Sequence, residues 1–423
     1  MSSNLFPETT KEPLSCAPGA GQHRACNDMN EMKKLNGFAV SWFFAPYIGS
    51  ADLDFFKRIK DTNISYTVVQ AARERRDDQV LKFASTDFER IEVAVDHANP
   101  RTESARKAFV KAAVEAFERA GKQYDFIISH SNELISHAAA AEIKKRHPEL
   151  PWITYFGDLF VRNPYVTPGF PLAAEDRAIE RDTLRQADRV ILNNAYQRDL
   201  MFTGDLAPLV DKAVVVPHCF DPRMYPQSAT QSNDKFVFSH LGMLYYIKRT
   251  ATPVLRAVDR LLEIYPDYRG RFEVRFYGAS ASESDLHEHA AMRNPTHVRF
   301  EEPVSYGESL RLMCEADALL LIDGLFSQEE DGLDCNPFFP GKLTDYMGAR
   351  RPIASVTMAK GPTADIMGRA GNLIADGRID RIAYVLKRYI DKKITPDYSV
   401  YNEYTVDKVA PQMESAIRSV LKV

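Results

Sequence analysis

Cysteine is scarce and scattered. Five residues (Cys16, Cys26, Cys219, Cys314 and Cys335) occur in 423, an odd number with no CxxC pair. Such spacing argues against a disulfide framework and fits reduced thiols in a cytosolic chain. No apolar run approaches the ~18 residues that a bilayer span requires. The first residues also lack the basic start and apolar middle of a secretory signal, so the sequence predicts a cytoplasmic protein. Neither sign of charge dominates: 54 Lys+Arg against 58 Asp+Glu leaves a formal charge of -4. That balance generates no global field able to draw the chain onto nucleic acid or an anionic membrane, and any basic site has to be local.

What is present is the composition of a globular chain, 45% hydrophobic and 26% charged, which excludes wholesale disorder or a fibrous repeat. Single cores stop growing at roughly 250 to 300 residues, so a chain of this length is expected to form two domains. Residues 1–35, polar and rich in Pro and Gly without apolar periodicity, read as a mobile leader. From Phe38 to Phe44 a continuous apolar run reads as a strand buried on both faces of a parallel sheet, with a helix from Asp52 to Lys60 after it. Ala105, Ala108, Phe109, Ala112, Ala113, Ala116, Phe117 and Ala120 recur at helical steps, which predicts a helix packed on that sheet by its small-residue face. Strands are expected at 125–129, 152–155 and 189–192, with helices at 133–147 and ending near Gln186.

Residues 221–234 (DPRMYPQSATQSND) have the composition of a linker. A second βα series follows, with strands expected at 236–240, 272–277, 298–300, 318–322 and 353–356. Parallel strands need crossover helices, so the two series imply two doubly wound, Rossmann-like α/β domains facing a cleft. The first spans 36–220 and the second 235–400. A last segment, 401–423, is expected to carry a helix that packs back on the first domain.

Four segments of the second half carry a resemblance: Phe236 to Arg249 (FVFSHLGMLYYIKR), Val304 to Ile322 (VSYGESLRLMCEADALLLI), Phe339 to Ile353 (FPGKLTDYMGARRPI) and Val214 to Asp221 (VVVPHCFD). Three more lie in the first half: Phe44 to Ser50 (FAPYIGS), Pro151 to Tyr165 (PWITYFGDLFVRNPY) and Ala187 to Asn193 (ADRVILN). In order and spacing these resemble the GT-B glycosyltransferases, and among them the retaining family 4 type. The resemblance implies transfer of a hexosyl group from a nucleotide-sugar, UDP- or GDP-linked, to a glycan or lipid-linked acceptor. A place in polysaccharide or glycoconjugate synthesis follows from it, with no bound metal, no further cofactor and no nucleic-acid partner.

The same resemblance implies a donor site formed by Gly242, Lys248, Arg249, Val304, Gly341, Lys342, Leu343 and Asp345. A departing diphosphate builds negative charge, which cations and backbone N–H groups at a helix start are suited to meet. Lys248 follows the glycine loop, while Gly341 and Lys342 open a helix. Asp345, one turn on, stands where the family has a carboxylate for the ribose hydroxyls. The competing reading of Asp345 is a polar residue in a first helical turn, stabilised by the dipole. Counting back from Asp345 to the family's other acid reaches Pro337, with Asp334 or Asn336 as the nearby substitutes. Met243 stands where family members carry an arginine. On the acceptor side Gly49 and His130 end strands, and Asp158, with Lys248, is the candidate for catalysis. Gly49 is equally read as a turn glycine, and His130 as a histidine satisfied by local backbone. Lys107, Lys111 and the run Lys144-Lys145-Arg146 allow at most a peripheral membrane contact. Two further functions share the architecture: a nucleotide-sugar 2-epimerase, and a non-catalytic subunit that binds a partner transferase.

Overall fold

The computed structural model describes residues 33–46, 50–72, 88–95, 102–130, 134–165, 172, 174–227, 234–244, 248–278 and 281–421. The expected leader lies outside the described residues up to position 32, as do Gly49 and residues 228–233 of the expected linker.

The first apolar run becomes β1 (Leu35–Ser41), starting three residues before the expected position because Leu35 is itself buried. Its side chains alternate between two layers, as strand geometry requires. Phe38 and Val40 pack with Phe109 and Ala113, whereas Ala39 packs on the other side with Phe56. The partners are β2 (Ile64–Ala71), β3 (Phe88–Val93), β4 (Phe126–His130), β5 (Trp152–Phe156), β6 (Arg189–Leu192) and β7 (Ala213–Val215). All pair in parallel, in the order β3-β2-β1-β4-β5-β6-β7. The sequence reading offered neither β2 nor β3. The latter, FERIEV, is an edge strand with no buried residue and so lacks a run of core side chains. Helices α1 (Ser50–Ile59), α2 (Glu103–Arg119) and α3 (Ile135–Arg146) cover the sheet, and Thr102 caps α2 by accepting from the Ala105 N–H.

The second sheet contains β8 (Phe236–Leu241), β9 (Phe272–Tyr277), β10 (Val298–Glu301), β11 (Ala318–Ile322), β12 (Ile353–Val356) and β13 (Ile374–Ala375). Its order is β10-β9-β8-β11-β12-β13, again parallel. Helix α4 (Thr252–Ile264) buries Val254, Leu255, Val258, Leu261 and Leu262, each contributing about 1.5–3 kcal/mol of burial. Pro253 occupies its first turn, but Thr250 does not cap it. Asp285 takes that role instead, accepting from both the N–H and Oγ1 of Thr252 at 2.9 Å. Helices α5 (Tyr306–Glu315), α6 (Gly341–Gly348) and α7 (Ile379–Ile390) complete the layers.

The chain passes between the sheets twice, and the two crossings are tied together. Phe220 donates to the Tyr404 carbonyl and Val406 donates to that of Phe220, both at 2.9 Å. Helix α8 (Val406–Arg418) then buries Val409, Met413 and Ile417 in the cluster that holds Ala39 and Phe56. In each sheet the strand order reverses beside a central strand, β1 in the first and β8 in the second. Ligands of open α/β sheets bind in the crevice that such a reversal leaves at the strands' C-terminal ends.

Candidate functional site

At the C-terminal end of β8 the chain turns through Gly242 at φ +99°, a conformation that L side chains rarely adopt. A Cβ on Gly242 would lie 3.4 Å from Nζ of Lys342, so the glycine also leaves room for that lysine. Lys342 stands in the first turn of α6 and donates to the Met243 carbonyl at 2.9 Å. Its ammonium lies 3.4 Å from Nε2 of His240, whose Nδ1 is 2.9 Å from the Leu320 carbonyl. A carbonyl only accepts, so Nδ1 carries the ring proton and Nε2 presents a lone pair to the lysine.

Arg249 is buried nearby, its Nη2 donating to Oδ1 of Asp323 at 3.1 Å. Asp323 follows β11 and also accepts from the Gly324 N–H at 3.0 Å and from Thr363 Oγ1 at 2.9 Å. Burial and the Arg249 charge beside it hold the Lys342 pKa well below the usual lysine range, with Asp323 acting in the opposite sense. Two basic side chains thus stand together at the switch point, and among the described residues only Arg249 pairs with a carboxylate.

Asp158, which follows β5 in the other sheet, faces this group. Burial pushes its pKa up to about 7; Arg249 opposes the shift, while Asp54 and Asp323 add to it. These couplings cross from one sheet to the other, so the carboxyl of Asp158 lies within electrostatic reach of the Arg249 guanidinium. A carboxyl poised near neutrality beside cations is suited to take up a proton.

The N-terminal end of α6 meets α1. A Cβ on Gly341 would come within 2.6 Å of an Asp54 oxygen, so the glycine leaves room for that carboxylate. Burial raises the Asp54 pKa to about 6, although Lys57 and Arg58 act against the rise. One turn along, Lys57 pairs with Asp345 at 2.8 Å, and Tyr306 Oη donates to the same carboxylate oxygen at 3.0 Å.

The expected site residues therefore separate. Gly242, Arg249, Gly341 and Lys342 come together, and Asp158 faces them. Lys248 does not join them: its ammonium pairs with Glu330 at 2.9 Å and Asp331 at 3.0 Å. The cation beside Lys342 is Arg249. Leu343 is a core side chain between the sheet and its helices. Val304 follows the edge strand β10 and is exposed. His130 does not reach the cleft surface; it is buried, stacked on Phe55 and Tyr155, with Nδ1 3.1 Å from Ser41 Oγ. Neither substitute for the acid missing at Pro337 enters the cleft chemistry. Asp334 pairs with Lys360 at the surface, and the Asn336 amide closes its own loop on Gly324 and Phe338. Among the described residues no group of three or more His, Cys, Asp or Glu side chains is placed to hold a metal ion. Nor is any helix among them long and apolar enough to cross a membrane.

Asp54, Lys57, His240 and Asp323 were missed by the sequence reading. Asp323 had a signal, since it follows the apolar run ALLLI at a strand's C-terminal edge. The others had none, because a charge in a helix and a histidine in a strand ordinarily read as a solvated face and a core residue.

No protein-family model and no curated protein matches this sequence. Solved structures do. HepE (Alr3699) of Anabaena, solved in complex with UDP and glucose, superposes with a TM-score of 0.62 at 13% identity, covering 91% of this chain and 100% of that one. A glycosyltransferase from Rickettsia africae gives 0.65 at 10% identity, over 92% and 100%. Trehalose-6-phosphate synthase OtsA gives 0.65 at 13% identity, over 91% and 98%. At these identities the likeness establishes the two-domain GT-B fold.

Proposed function

We propose that the protein transfers a glycosyl group from a nucleotide-sugar, with the donor diphosphate lying between Lys342, Arg249 and the first N–H groups of α6. The observation that carries this reading is the pair of neighbouring basic side chains at the switch point of the second sheet, Arg249 buried and Lys342 half-buried, with Asp158 of the first sheet within electrostatic reach. Placing two positive charges together costs free energy, and a diphosphate recovers it as charge develops on departure. A uridine or guanosine donor fits the reading, and the neighbour HepE was solved with UDP and glucose.

Asp158 is the candidate base. In one displacement the acceptor oxygen bonds to the anomeric carbon, the bond from that carbon to the diphosphate oxygen breaks, and the acceptor's proton passes to Asp158. Such a displacement inverts the anomeric centre. The resemblance to family 4 implies retention instead, and the anomeric configuration of the product tells the two apart. The acceptor is a hydroxyl of a glycan or a lipid-linked sugar.

A thermal-shift and calorimetric panel of UDP-, GDP-, ADP- and TDP-sugars tests the reading. One donor at ~100 times its dissociation constant is expected to add about 2.7 kcal/mol to the stability of the wild type. Lys342→Met is expected to weaken that binding at least tenfold. Stabilisation by none of the donors, or equal binding by Lys342→Met, refutes it.

A further inference from the structure

Lys342 is held by two neutral acceptors, the Met243 carbonyl and the His240 ring nitrogen, and by no carboxylate among the described residues. A carboxylate there would fix the ammonium equally well but cancel the charge a diphosphate needs. The histidine is fully buried on β8, and its other nitrogen is committed to the Leu320 carbonyl, so the lone pair of Nε2 has a set direction. Burial, with Lys342 next to it, holds the ring neutral, its pKa well below the ordinary histidine value.

We infer that His240 is a positioning residue for donor binding: its Nε2 lone pair aims the Lys342 ammonium at the diphosphate and keeps it protonated without neutralising it. This rests on the donor site proposed above. Among the described residues, few charged groups bear on the lysine. Arg249 disfavours its proton and Asp323 favours it; Asp54 lies at the N-terminal end of the same helix, and Asp158 faces Arg249 from the opposing sheet. None of these replaces the ring nitrogen, because Arg249 carries the same sign as the lysine and Asp323 is taken up by Arg249, Gly324 and Thr363. Without the lone pair, the ammonium is expected to lose its proton at lower pH.

The test is the affinity for UDP and for inorganic pyrophosphate between pH 6 and 9.5, measured by calorimetry on the wild type, His240→Phe, His240→Gln and Lys342→Met. Wild-type affinity is expected to fall as pH rises and the ammonium is lost. In His240→Phe that fall is expected about one pH unit lower, with affinity at pH 6 within about threefold of wild type. His240→Gln, which keeps an acceptor oxygen, is expected to lie between them. A His240→Phe profile that coincides with wild type, or that drops equally at every pH, overturns the positioning role while Lys342→Met still loses binding. If Lys342→Met binds as the wild type does, the donor site and the role of His240 fall together.

Discussion

Replacing Lys57 by Met removes one half of the ion pair that joins α1 to α6. The pair is closed on nearly all sides: the side chain of Lys57 is 2% exposed, that of Asp345 is 14% exposed, and 2.8 Å separates the charged groups. Removing one partner of a buried pair leaves an uncompensated charge and costs about 3–5 kcal/mol. Tyr306 still donates to Asp345, and that carboxylate keeps an edge in water, which puts the expected loss near 3 kcal/mol. Methionine fills much of the volume of the lysine stem, so the cavity contribution is small. The cost also depends on pH. Asp54 has its folded-state pKa raised to about 6, so the stability it contributes is present below pH ~4 and is lost as pH rises through 6. Lys57 is one of the charges that limit that rise, and the penalty of Lys57→Met is therefore expected to be larger at pH 8 than at pH 5. Urea unfolding at both pH values measures it, and Lys57→Met with Asp345→Asn should return to within about 1 kcal/mol of wild type. A loss below about 1 kcal/mol at pH 8, or no recovery in the double variant, refutes the account of this interface.

Asp158 makes a prediction about turnover. With a folded-state pKa near 7, the ionised base becomes about tenfold scarcer per pH unit below that value, and the pH–rate profile should fall accordingly. Asp158→Asn should cost about 10²–10⁴ in kcat and flatten that acid limb, while nucleotide-sugar affinity changes little. Lys248→Met tests the separation of the two neighbouring cations. Because Lys248 answers Glu330 and Asp331 at the edge of the cleft, donor affinity should stay within twofold of wild type, with a stability loss of about 1 kcal/mol or less.

How much was legible follows from how local each feature is. The strands that carry the cores, such as ALLLI at β11 and WITYF at β5, were readable because strands buried on both faces are uninterrupted apolar runs. The edge strand β3 was not, since half-exposed edges need no such run. Gly341 and Lys342 were legible as a helix start with a cation. The partner of Lys342 was not, because Lys248 and Arg249 are adjacent in the chain and which one faces inward depends on backbone orientation at the end of a loop.

The sequence by itself determined two parallel α/β layers, because apolar periodicity and turn residues act over short stretches of chain. Tertiary structure alone decided which charges matter. It buried Lys57 against Asp345, turned Lys248 towards the acidic loop, put Arg249 beside Lys342, and set Asp158 opposite them. A side chain's charge state and partner depend on what the rest of the fold removes from water around it, and those neighbours lie up to hundreds of residues away, as Lys57 and Asp345 do, 288 positions apart in the chain.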